Sequence, residues 1–453
     1  MKKDWMACDG TGRESRSDAS IAEEQPMGAS LTPLSRRTLL TTAALGWIGW
    51  LGAQRSALAE LTLRPSKGKD DGRILVVLFL RGGLDGLNAV VPYAEDDYHR
   101  LRPTLGLKAP NDKTSSSIDR TLDLDGFFGL NPALAPLLPL FREGRLSVVH
   151  AVGSNDLTRS HFEAMSAMER GVATAKASAS SGWLARYLNA TAAEPLSPLR
   201  AVALSSTMPD SLRGATHAIQ LESLDDFRLS SGDRKWVESF QKGLGELYEG
   251  GSDAVREAGR QTLEVLDSLS KIDLDSYPSE RGVAYPDSEL GRGLRQVAVM
   301  IKTGLGLEVA CLDRGGWDTH FGQGRSEGLL TGLLDDLARS LAAFAADIRA
   351  FRERVTVVVQ TEFGRRAYEN VTLGTDHGRG SVMMLLGPTV AGGKVAGEWP
   401  GMRKDQLEEP GDLRVTTDYR QILSEALAWH SGSDSSLEVF PSFSARPSAS
   451  FVL

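Results

Sequence analysis

Cysteine is nearly missing from this chain of 453 residues, which has two, Cys8 and Cys311. No disulfide framework can staple a chain so poor in cysteine, and its stability must come from a buried core. Histidine is scarce as well, at seven, so any clustering of imidazoles is informative. A basic excess is lacking: 51 Lys and Arg stand against 59 Asp and Glu, a formal charge of −8, and that balance gives nucleic acid no electrostatic reason to bind. Nucleotide-binding glycine signatures are absent too. Gly82-Gly-Leu-Asp-Gly86 has the wrong order for G-x-G-x-x-G, and no lysine stands in a P-loop pattern. The apolar stretch Leu39–Ala53 falls short of the roughly twenty residues a membrane span needs, so no stable membrane span is expected.

What is present begins with an address. Ser35-Arg-Arg-Thr-Leu-Leu40 leads into that apolar stretch and Ala57-Leu-Ala59 follows it, the pattern of a twin-arginine export signal with a small-residue cleavage site. The expectation is a leader over residues 1–59, the twin-arginine translocation machinery as a partner, and a periplasmic or secreted destination.

Beyond the leader, short β-branched runs alternate with longer amphipathic stretches, which predicts an α/β fold with a mainly parallel, mixed sheet flanked by helices. The runs at 74–80, 146–152, 307–312, 355–360 and 381–387 read as buried strands. Gly328–Phe351 is spaced as a sheet-covering helix, and Asn131-Pro-Ala-Leu opens another with proline in its first turn. Between residues 205 and 286 β-branched runs give way to charge and helical spacing, at Trp236–Tyr248 and Val255–Ile272. That change predicts a helical insertion over 205–286 inside one domain spanning 60–453.

Acids and imidazoles gather at the ends of the strand-like runs. Asp85 follows the first, Ser160-His161 the second, Asp318 and His320 the third and Glu362 the fourth, while Asp376-His377 precedes the fifth. Parallel strands deliver such loops to the carboxyl edge of a sheet, where α/β proteins bind ligands. Carboxylates and imidazoles in a mixed set suit a divalent ion, whether Zn, Mn, Mg or Ca. Structural alternatives stand beside each residue. Asp85 fits a glycine-rich turn, Glu362 a surface pair with Arg365 or Arg366, and Asp376 a cap. Ser160-His-Phe-Glu163 matches a capping box. A hydroxyl at a helix start beside a metal is also a candidate nucleophile, with Thr158 or Ser154 as substitutes. Among the arginines near these motifs, Arg159 is singled out as an anion clamp. His99, His150, His217 and His430 keep no such company and read as structural or surface residues.

The ordered motifs LFLRGGLDGLNAVVPY at 78–93, Arg159-Ser-His-Phe162, Gly182-Trp183, GGWDTH at 315–320, TEFGRR at 361–366, DHGRG at 376–380 and Thr417-Asp-Tyr-Arg420 resemble the DUF1501 family over essentially all the chain after the leader. That family is similar to the alkaline phosphatase and sulfatase superfamily. The resemblance implies an alkaline-phosphatase-like fold with one or two metals, Asp85 as an early ligand, Ser160 as nucleophile, and Asp318, His320, Glu362, Asp376 and His377 as later ligands. His161 joins the candidate set by position. The implied substrate is a small anionic phosphate or sulfate ester, or a sulfated or phosphorylated polymer. The chain departs from the pattern in two places: it has no C/S-x-P-x-R motif, which excludes a formylglycine sulfatase, and Glu362 stands where relatives commonly carry Asp. The expectation is an exported metal-dependent hydrolase, and the competing class is a noncatalytic exported binding or assembly protein on the same scaffold.

Overall fold

Helices cover both faces of the central sheet, and its strands are therefore apolar on both faces rather than alternating. The computed structural model describes residues 72–446 apart from 178, 193–196, 225–233, 271–276, 389 and 432–438. The export signal read at Arg36, Arg37 and Ala59 lies outside the described residues, which all belong to the unit Gln54–Leu453.

The strands are β1 (Ile74–Leu80), β2 (Val90–Val91), β3 (Leu122–Asp123), β4 (Gly129–Leu130), β5 (Leu146–Gly153), β6 (Ala201–Leu204), β7 (Ala218–Leu221), β8 (Val309–Arg314), β9 (Val355–Gln360), β10 (Ser381–Leu386), β11 (Val395–Ala396) and β12 (Thr417–Asp418). Strands β2 to β4 form a small sheet of their own, and the other nine form one sheet in the order β11-β5-β10-β9-β1-β8-β6-β7, with β12 also on β5. Neighbours run parallel except β10, which is antiparallel to both β5 and β9. This single reversal explains why one motif precedes its strand while the others follow theirs. The carboxyl ends of β1, β5, β8 and β9 share an edge with the amino end of β10.

Along β1 the side chains divide between two cores. Ile74, Val76, Leu78 and Leu80 join a cluster that includes Leu330, Leu334, Leu337 and Phe344 of the helix Leu329–Asp347. Leu75, Val77 and Phe79 point the other way, into a cluster with Trp183 of the helix Trp183–Ala190 and Ile422 and Leu423 of the helix Tyr419–Ser431. Each such buried side chain stabilises the fold by about 1.5–3 kcal/mol, and that two-sided burial fixes where the strand ends emerge. Leu329–Asp347 connects β8 to β9, as its amphipathic spacing predicts.

The stretch 205–286, read as a helical insertion, holds one strand of the main sheet as well as helices. It first contributes β7, paired parallel to β6 at the sheet margin, and then the helices Arg234–Glu249 and Asp253–Ser270. The four residues of β7 are too few for their alternation to stand out against flanking charge. Among the described residues no helix is long and apolar enough to cross a membrane.

Candidate metal centre

Three imidazoles and one carboxylate meet above the shared edge. His161 is the first residue of the helix His161–Arg170 beyond β5, Asp318 and His320 lie in the loop after β8, and His377 stands just ahead of β10. One ligand atom each from His161, Asp318 and His377 lie within 4.8 Å of one another. His377 Nε2 is 3.0 Å from His161 Nε2, 2.8 Å from His320 Nε2 and 3.0 Å from Asp318 Oδ1. Asp318 Oδ1 is also 3.0 Å from His320 Nε2, and its Oδ2 is 3.5 Å from His161 Nε2. Ligands about 2.0 Å from a tetrahedral zinc stand about 3.3 Å apart, which is the scale of these separations.

The far side of each ring decides its tautomer. His161 Nδ1 is 2.6 Å from Glu362 Oε1, His377 Nδ1 is 2.8 Å from the backbone carbonyl of Arg159, and His320 Nδ1 is 3.2 Å from Asp376 Oδ1. Oxygens of these kinds accept, so each Nδ1 carries the proton and each neutral Nε2 presents a lone pair. Lone pairs facing one another at 2.8–3.0 Å repel unless a cation or further protons lie between them. Imidazoles backed by oxygen acceptors are the arrangement that metal-binding histidines use.

Charge at the centre is held in place by buried groups. Burial works against ionisation of Asp318, but the hydrogen bond from Arg365 holds its carboxyl at about 2. The hydrogen bond to Glu362 raises the His161 pKa above its ordinary value, while burial lowers that of His377. A hydrogen bond from Asn370 holds Asp376 below the usual carboxylate range.

Arg365 ties the loops together. Fully buried, it donates from Nε to Gly83 O (2.7 Å), from Nη1 to Thr375 O (2.9 Å), and from Nη2 to Trp317 O (2.9 Å), Asp318 Oδ1 (2.7 Å) and Gly82 O. In the sequence Arg365 reads as a partner for a nearby acid or for an anion, and nothing in its spacing marks five acceptors on three loops. Two glycines allow the close approach. A Cβ on Gly364 would lie 1.9 Å from Gly380 O, and one on Gly374 would lie 2.3 Å from His320 C.

The remaining candidates fall around this cluster in different places. Glu362 is buried behind His161, where Oε1 also accepts from Gly82 N (2.8 Å) and Oε2 from Thr361 Oγ1 (3.1 Å). Asp376 stands behind His320, with Asn370 Nδ2 3.0 Å from Oδ1. Asp85 is not brought to the imidazoles; its Oδ2 accepts from Arg102 Nη1 and Gln323 Nε2, each at 2.6 Å, in a fully buried salt bridge. Ser160 caps its helix, with Oγ accepting from Glu163 N at 3.5 Å. Thr158 Oγ1 donates to Glu163 Oε2 (2.5 Å) and accepts from Ser160 N (3.2 Å). The Arg159 guanidinium ends on the buried carboxylate of Asp412, and its carbonyl rather than its charge faces the site. His150 is buried against Val90 O, and burial pushes its pKa down to about 4.

Fold and site together define an α/β protein with a candidate His/Asp metal centre on the carboxyl rim of a mainly parallel sheet. The chain belongs to the DUF1501 family, described as a protein of unknown function, whose model matches residues 73–426. Among solved structures it is similar to alkaline phosphatase from the Antarctic bacterium TAB5, at 12% identity and a TM-score of 0.28, covering 70% of this chain and 92% of that one. A mutant of the TAB5 enzyme with magnesium bound is similar at 10% identity and the same TM-score of 0.28, covering 69% and 90%. Nothing about the site follows from likenesses at that level. No match was found among the curated proteins.

Proposed function

We propose that this protein is an exported, metal-dependent hydrolase of phosphate or sulfate esters, with His161, His320, His377 and Asp318 as ligands of a divalent ion. The observation that carries the reading is the placement of the three rings: each Nδ1 faces an oxygen acceptor, and the Nε2 atoms of His161 and His320 both face that of His377 beside a carboxylate. That donor set fits zinc and its neighbours among divalent ions. A bound divalent ion supplies Lewis acidity, polarising an ester oxygen and lowering the pKa of water.

The chain's own groups prepare that chemistry. Glu362, the Arg159 carbonyl and Asp376 hold the rings in the tautomer that binds, and Arg365 keeps Asp318 ionised. Ser160 is engaged as a helix cap, which favours water over its hydroxyl as the attacking group. The export half of the reading rests on Arg36-Arg37 and Ala57-Leu-Ala59. If changing both arginines to lysine left export intact, that half would be wrong.

The test combines elemental analysis of purified protein with a panel of phosphate and sulfate esters. The expected outcome is stoichiometric metal, turnover abolished by Asp318→Ala and retained by Ser160→Ala. Metal without turnover on any ester would favour the noncatalytic binding protein. Absence of metal would remove the centre itself.

A further inference from the structure

We propose that the substrate carries a long apolar group beside a singly charged ester, and that Leu157, Phe162, Phe321, Val371 and Leu373 form the rim on which that group lies. The proposal rests on the hydrolytic reading above and names its substrate class. A lone exposed leucine means little. Here, however, five of the eight large hydrophobic side chains exposed among the described residues lie on the segments that carry the imidazoles, at 68%, 85%, 67%, 100% and 52% exposure in the order just given. Phe162 adjoins His161, Phe321 adjoins His320, and Val371 and Leu373 lie in the loop before Asp376-His377.

These segments are locked to one another. Gly322 N donates to Thr372 O (3.0 Å) and Gln323 N to Leu373 O (2.9 Å), which sets Phe321 beside Val371 and Leu373. The third segment joins through His377 Nδ1 and the Arg159 carbonyl, 2.8 Å apart. Exposed apolar side chains grouped around a site mark a binding surface. The loop sequences Thr319–Gln323 and Asn370–Thr375 contain no Asp, Glu, Lys or Arg, and the one cation between Leu157 and Phe162, Arg159, is paired with Asp412, so the rim offers a highly charged substrate little.

The neighbouring arginines point to the same class. Arg81 is paired with Glu169 and Asp313, Arg159 with Asp412, Arg366 with Tyr368 and Asp376, and Arg379 with Glu408, while Arg365 is spent on four carbonyls and Asp318. All these guanidinium groups are directed at protein acceptors rather than at the doubly charged head of a phosphate monoester. One carboxylate and three neutral imidazoles around a divalent ion leave a single positive charge, which matches a singly charged phosphodiester or sulfate monoester.

The test is calorimetric titration of the zinc-loaded full chain with dodecyl methylphosphonate and ethyl methylphosphonate, two singly charged esters that differ in chain length. Because each buried methylene contributes about 0.8 kcal/mol, burying even two makes the dodecyl ester bind about tenfold more tightly. The triple variant Phe162→Ser, Phe321→Ser, Val371→Ser should bring the two affinities together while zinc uptake stays unchanged. Equal affinities in the parent, no binding of either ester, or a preference untouched by the triple variant would overturn the proposal. If the protein took up no zinc, the hydrolytic reading would fail by itself. The rim would then be read with dodecyl and ethyl maltoside, whose tails need no ion, and equal affinity there would sink the rim as well.

Discussion

Replacing Arg365 by lysine tests whether one buried guanidinium holds the site together. The charge is kept, but a single ammonium with three donors replaces a fork that serves Gly82, Gly83, Trp317, Thr375 and Asp318. At least two buried carbonyls lose their donors, and each unsatisfied group costs about 1–3 kcal/mol. The Asp318 side chain is 45% exposed and regains water, so its pair adds little to that cost. A loss of about 4 kcal/mol lowers the thermal midpoint of a unit this size by roughly 5 °C. Circular dichroism melting in chelator reads that change, and calorimetric zinc titration reads the second consequence. With Asp318 untethered, zinc affinity falls by about tenfold. A Lys variant that melts within about 1 °C of the parent and binds zinc equally well would refute the reasoning, because the loops would then hold their positions without the fork.

Glu362→Gln removes the carboxylate behind His161 but keeps its shape, and is expected to weaken zinc binding by about 10–100-fold while leaving the melting curve of the metal-free protein nearly unchanged; equal zinc affinity would mean that Glu362 does not orient the ring. Glu169 supplies a pH test away from the imidazoles. Burial pushes its carboxyl up to about 7 despite Arg81 at 2.9 Å, so the folded protein keeps a proton that the unfolded chain releases near pH 4.3. The associated stability is present below about pH 4.3 and is lost as pH rises toward about 7, with a ceiling of about 4 kcal/mol. Glu169→Gln cannot ionise, and its melting point should fall less than the parent's between pH 4.5 and 8; parallel curves would show that the buried carboxyl is not the source.

The five longest strands were legible because burial on both faces demands continuous β-branched runs, and ILVVLFL and VTVVVQ satisfy little else. The gathering of His161, Asp318, His320, Glu362, Asp376 and His377 followed from strand ends sharing an edge. What spacing could not reveal is which atom of each residue faces inward. Glu362 and Asp376 look like ligands on paper, yet geometry sets them behind imidazole rings, a distinction of a few ångströms made by Gly82 N and Asn370. Asp85 was equally opaque, since its partners Arg102 and Gln323 lie in segments with no motif of their own. The role of Arg365 was hidden for a related reason: backbone carbonyls leave no trace in a sequence. β6, β7, β11 and β12 escaped because two to four residues carry too little pattern.

The reversed strand inside the sheet, third in its order, has a consequence for how the site came to be possible. β10 spans six residues, roughly 20 Å at 3.3 Å per residue. Had it run with its neighbours, the turn ahead of it would open on the opposite margin and His377 would be delivered a full strand length from its companions. The polarity of one segment thus decides whether the rim gains its third imidazole.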